Sequence, residues 1–154
     1  MAIYIQLILA CFVLVSGCSN ATTDIEKKAI ETAAKSYLIA QIEARPELME
    51  KVTDDELIKR TYWQDQQGKE FVMAMDKQGL IKLAAEYNLS GTRFSAQPKI
   101  ELRILDVDKR VATVKLITDE WIDYMHLYKT ASGEWRILNV LWQFHQIQKH
   151  KSVR

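Results

Sequence analysis

Two alternating runs near the C-terminal end, residues 119 to 142, constrain this chain more than any other stretch. In DEWIDYMHLYK, Trp121, Asp123, Met125 and Leu127 share one face, and Ile122, Tyr124, His126 and Tyr128 share the other. In EWRILNVLW, Trp135, Ile137, Asn139 and Leu141 alternate with Arg136, Leu138, Val140 and Trp142. Period-2 alternation rich in aromatic and branched residues is strand chemistry. The Thr130-Ala131-Ser132-Gly133 segment between the runs is a short turn, with Gly133 where a positive φ is needed. A long antiparallel hairpin follows.

The preceding segments extend it. Residues 99 to 107 alternate Ile100, Leu102 and Ile104 with Glu101 and Arg103, the 106 to 109 segment is a turn, and 111 to 118 form another strand. Together these predict a meander of about four strands. The N-terminal half reads as helices. Thr23 and Glu26 form a capping box, followed by Ala29, Ile30, Ala33, Tyr37 and Leu38 at helical spacing until shortly before Pro46. Pro46 opens a short helix to Val52. Thr53-Asp54-Asp55-Glu56 has capping-box form as well and predicts a helix to about Arg60, its acids favouring the helix dipole rather than a metal. Turn chemistry at 65 to 68 places a small hairpin between 61–63 and 70–72, and residues 76 to 87 form a third main helix.

Asp123, Tyr124, Leu127, Gly133, Trp135, Ile137 and Asn139 make a pattern of Asp-Tyr strand, Gly-x-Trp-x-Ile turn and Asn-containing strand. It resembles the last hairpin of the nuclear-transport-factor-2-like (NTF2-like) superfamily, and within it the Putative lumazine-binding branch. Residues 56 to 60 and the strand ending Ile104-Leu105-Asp106-Val107 are similar to that branch too. The resemblance spans roughly residues 25 to 144. It implies an α+β fold, a cone in which N-terminal helices pack in a curved antiparallel sheet around a pocket. It also implies that the outer sheet face is a dimer surface, with Tyr124, His126 and Tyr128 as candidates.

Residues 2 to 17 carry no charge, and Val15-Ser16-Gly17-Cys18 resembles a bacterial lipobox, although the first six residues lack Lys or Arg. The expected organisation is a signal peptide over 1–17, a tether over 18–23, a domain over 24–145 and a solvated basic tail over 146–154. Cys18 would carry lipid and hold the protein to the cell envelope, on the periplasmic side of an outer membrane. The two Cys, 11 and 18, leave the domain no disulfide framework. A net charge of +1 gives no argument for nucleic acid, and the three His lack metal spacing.

For the pocket, the candidates are Tyr37, Trp63, Trp121, Asp123, Trp135 and Asn139. Aromatic walls with an amide and a carboxylate suit a flat heteroaromatic ligand. Asp123 is open to two readings. On a concave apolar face it could serve as a general base, in a proton-transfer enzyme of the ketosteroid isomerase or polyketide cyclase type. Alternatively it bonds its neighbours and fixes the strand. One acid without a clear donor partner favours ligand binding without catalysis, with no cofactor and no metal.

Overall fold

The computed structural model describes residues 23–152. Three helices pack on one face of a curved six-stranded sheet: α1 (Asp24–Ile42), α2 (Pro46–Val52), β1 (Thr53–Gln64), β2 (Glu70–Asp76), α3 (Lys77–Glu86), β3 (Glu101–Asp108), β4 (Val111–Ile117), β5 (Trp121–Lys129) and β6 (Trp135–Phe144). A 3₁₀ turn, Ile147–Lys149, follows. The strand order is β2-β1-β6-β5-β4-β3. All neighbours are antiparallel except β1 and β6, which run parallel across a long crossover. This is the expected α+β fold with one parallel pairing that the antiparallel reading did not include.

Local chemistry explains the elements. The Thr23 hydroxyl accepts from the Glu26 N–H and starts α1. Asp76 caps α3 through the Gly79 N–H. Asp65 holds the β1–β2 turn by accepting from Gln67 and Lys69, and Gly68 takes a φ of 82° there. Gly133 adopts a φ of 90°, as the hairpin requires. The inward faces of the strands bury Leu57, Val114, Leu116, Met125, Leu127, Ile137 and Val140 against Ile30, Tyr37 and Leu38 of α1 and Leu80 of α3.

Three expectations fail here. Residues 53–60 are strand, not helix. The Thr53 hydroxyl donates back to the Met49 carbonyl at 2.6 Å, so it closes α2 instead of capping a new helix. Asp54 accepts from the Glu56 N–H, a two-residue loop in place of a cap. Second, the alternation of β6 breaks. Ile137 faces Leu127 and Asn139 faces His126, so Leu138 is an extra residue in a β-bulge. Asn139 and Leu141 therefore turn outward, and Val140 and Trp142 turn inward. Third, the end of the chain is not a solvated tail up to Ser152. His150 is 2% exposed, and Lys151 bridges to Gln64 of β1.

Candidate functional site

The centre of the sheet's inner face carries a buried polar cluster. Lys59 comes from β1, where it follows Leu57 and precedes Thr61 on the inward side. Asp123 comes from β5 and Tyr37 from α1. The Lys59 ammonium donates to Asp123 Oδ1 at 2.8 Å and to the Tyr37 hydroxyl at 2.9 Å. The Trp121 indole N–H donates to Asp123 Oδ2 at 2.8 Å. Asp123 and Tyr37 are fully buried. Burial, followed by the nearby Asp123 charge, pushes the Tyr37 phenol well above its usual range, so it stays neutral.

Above this cluster lies a cleft of about 660 Å³, measured out to its open mouth. Tyr87, Trp121, Trp142 and Phe144 give it aromatic walls. Met73, Met75 and Leu83 supply flexible apolar surface. Besides the tryptophan indoles, Lys59, Gln41 and Tyr87 are the lining residues that carry polar groups. Trp121 is held rigidly: it meets Tyr87 edge-on at 6.1 Å and Phe94 at 5.8 Å, besides its bond to Asp123. The Trp142 ring lies 4.9 Å from the Lys59 ammonium.

The geometry sorts the candidates sharply. Trp121 lines the cleft. Asp123 and Tyr37 sit beneath it, behind Lys59. Trp63 is not among the lining residues; its ring lies tilted at 6.5 Å from both Trp142 and Phe144, and its indole bonds Ser152. Trp135 lies at the far end of β6, where its indole donates to Glu26 Oε2 of α1 at 2.9 Å. Asn139 is on the outer face, accepting from Arg60 and paired with His126, because the bulge at Leu138 reversed its side. Tyr124 and His126 are exposed on that outer face, with Lys115 over the Tyr124 ring. Tyr128 is half-buried and tied to Asp54, which raises its pKa. Cys18 lies outside the described residues.

Sequence reasoning missed Lys59, Gln41, Tyr87, Trp142 and Phe144. Lys59 had a legible signal: in Leu57-Lys59-Thr61-Trp63 it occupies an inward position once 53–64 is read as a strand. Chemically, the cleft's lining residues carry one ammonium, one amide and one phenol. Among the described residues its lining has no carboxylate and no histidine. Among the described residues no group of three or more His, Cys, Asp or Glu is placed to hold a metal ion.

Solved structures share this architecture. An NTF2-like protein of unknown function from Silicibacter pomeroyi matches with a TM-score of 0.62 at 14% identity, over 80% of this chain and 99% of that one. One from Shewanella baltica matches at 0.58 and 20% identity, over 80% and 98%. A ketosteroid isomerase-like protein from Erwinia carotovora matches at 0.53 and 16%, over 80% and 99%. At these identities the likeness concerns the fold. No curated protein matches the sequence significantly. The family comparison reaches further along the sequence itself: the model of the Putative lumazine-binding family matches residues 25–143, and the chain belongs to that family.

Proposed function

We propose that this domain is a non-catalytic receptor for a small planar ligand, carried on an envelope lipoprotein anchored through Cys18. The observation that carries the binding half is the Lys59 ammonium at the base of a mostly apolar, aromatic-walled cleft. An ammonium has three N–H donors. Two are engaged by Tyr37 and Asp123, and a ligand carbonyl or ring nitrogen would take the third. Because Asp123 already balances the Lys59 charge, an uncharged acceptor suits the site better than a second carboxylate. Family membership supports a small ligand, and lumazine has this chemistry.

Proton transfer is the weaker reading. A general base needs a lone pair within reach of substrate. Both Asp123 oxygens are already bonded, and the carboxylate is closed off beneath Lys59. The anchoring half rests on the lipobox-like Val15-Ser16-Gly17-Cys18. Exposed Tyr124, Leu138 and Leu141 on the outer sheet face support a homodimer.

Titrating the full chain with lumazine and with the uncharged tricyclic lumichrome, read by tryptophan emission, tests the binding claim. Quenching in wild type that is lost in Trp121→Ala supports it. Turnover of a bound compound by wild type, abolished in Asp123→Asn, overturns it in favour of an enzyme. For the anchor, Cys18→Ala should leave the membrane fraction; identical fractionation of variant and wild type removes that half.

A further inference from the structure

The polypeptide after β6 forms a strap. It turns through Ile147–Lys149 and lies along the end of β1. The Gln64 N–H donates to the His150 carbonyl at 2.9 Å, the Ser152 N–H donates to the Gln64 carbonyl at 2.9 Å, and the Trp63 indole donates to the Ser152 hydroxyl at 3.3 Å. His150 is the plug of this strap. Its ring stacks on Tyr62 at 4.5 Å and contacts Trp63, Trp142 and Phe144 at 5.5, 5.3 and 5.1 Å. Trp142 and Phe144 are two of the cleft's aromatic walls. His150 thus packs on two wall residues without itself being among the residues that line the cleft.

Its hydrogen bonds fix its protonation state. The Phe144 backbone N–H donates to Nε2 at 2.7 Å, so Nε2 must carry a lone pair. Nδ1 lies 3.0 Å from the Tyr62 carbonyl, which can only accept, so Nδ1 carries the proton. The Thr61 hydroxyl is also 3.3 Å from Nδ1. A second proton on Nε2 would face the Phe144 N–H, donor against donor, and the bond would be lost. Among the described residues no carboxylate is bonded to the His150 ring. From β1 the ionisable group in ring contact is Tyr62; β6 offers only Trp142 and Phe144. Within the strap, Lys149 and Lys151 flank His150, and His145 points to the Thr118 carbonyl. Glu120 is paired with Lys149 at 3.5 Å, and Asp65 of the β1–β2 turn, which shares a surface cleft with Lys151 and Ser152, accepts from the Gln67 and Lys69 N–H groups. Burial accordingly lowers the His150 pKa, and the Tyr62 bond offsets this only in part.

We propose that His150 is the positioning residue of the cleft's aromatic wall, and that protonating it releases the strap and loosens Trp142 and Phe144. The strap geometry carries this inference and needs no ligand. The test is NMR of the full chain between about pH 8 and pH 5, following the His150 ring nitrogens and the Phe144, Gln64 and Ser152 amides. As pH falls from about 6.5 toward the lower folded-state value, protection of these amides should fall by at most about tenfold per pH unit, and tryptophan emission should shift red over the same range. His150→Gln keeps one donor and one acceptor but does not titrate, so its profile should be flat. The proposal is overturned if the wild-type amides stay protected while His150 titrates, if His150 titrates at or above its ordinary value, or if His150→Gln shows the wild-type transition. Should His150→Gln fail to fold, the wild-type amides decide alone.

Discussion

Replacing Lys59 with Met keeps length and apolar bulk but removes the ammonium. The two side chains of the Lys59–Asp123 pair are only 8% and 0% exposed, so solvent screens the pair little. Removing one partner leaves the Asp123 carboxylate with the Trp121 indole as its remaining donor. An uncompensated buried charge of this kind costs about 3–5 kcal/mol. Loss of the bond to Tyr37 adds about 1 kcal/mol. Against a typical domain stability of about 5–15 kcal/mol, that is a large fraction. Lys59→Met/Asp123→Asn removes both charges and should lose only about 1–2 kcal/mol, the cost of the missing hydrogen bonds. Asp123→Asn alone strands the Lys59 ammonium and should likewise cost about 3–5 kcal/mol, so the double variant should lose far less than the sum of the two single variants. Urea unfolding followed by circular dichroism, at constant m-value, measures all four states of the cycle. A loss under about 1 kcal/mol in Lys59→Met, or additive losses in the double variant, would refute the idea that this pair is a closed, mutually dependent unit.

Three further outcomes follow from the same geometry. The folded-state pKa of His150 lies below its ordinary 6.5, so the unfolded chain binds more protons between the two values. The contribution is complete above about pH 6.5 and is lost as pH falls through that window; thermal melts of wild type but not of His150→Gln should show it. A Cβ at Gly79 would lie 2.7 Å from Met75 Cγ, so Gly79→Ala should displace the Met75 side chain at the cleft and weaken ligand binding measured by titration, while circular dichroism stays helical. Tyr124→Asp places a charge on the outer sheet face and should convert a dimer to monomer by light scattering; a monomeric wild type removes that surface from the account.

Much of the fold was legible because its signals are local. The cap at Thr23, Pro46 at a helix start, and the glycine at 133 each act over a few residues, and the structure uses all of them. The β1 segment was misread because Thr53 and Asp54 have two local uses, and only the end of α2 decides between them. The site was less legible for a related reason. One extra residue at Leu138 reverses every later side chain of β6, which moved Asn139 out and Trp142 in. A bulge of that kind has no glycine or proline to announce it in this chain. Asp123 was found because strict alternation holds throughout β5. Its partner Lys59 lies 64 residues away in sequence, across β6 in the sheet, and only the tertiary pairing brings the two together.

Methionine methyl NMR tests the central claim most directly, because four methionines of the described chain report from known places. Met73 and Met75 line the cleft, whereas Met49 and Met125 are fully buried in the core. Lumazine or lumichrome added to the full chain labelled with methyl-¹³C methionine should shift the Met73 and Met75 signals in a saturable way and leave Met49 and Met125 in place. Saturable shifts confined to Met49 and Met125, or none at all across both compounds, would contradict a ligand site over Lys59.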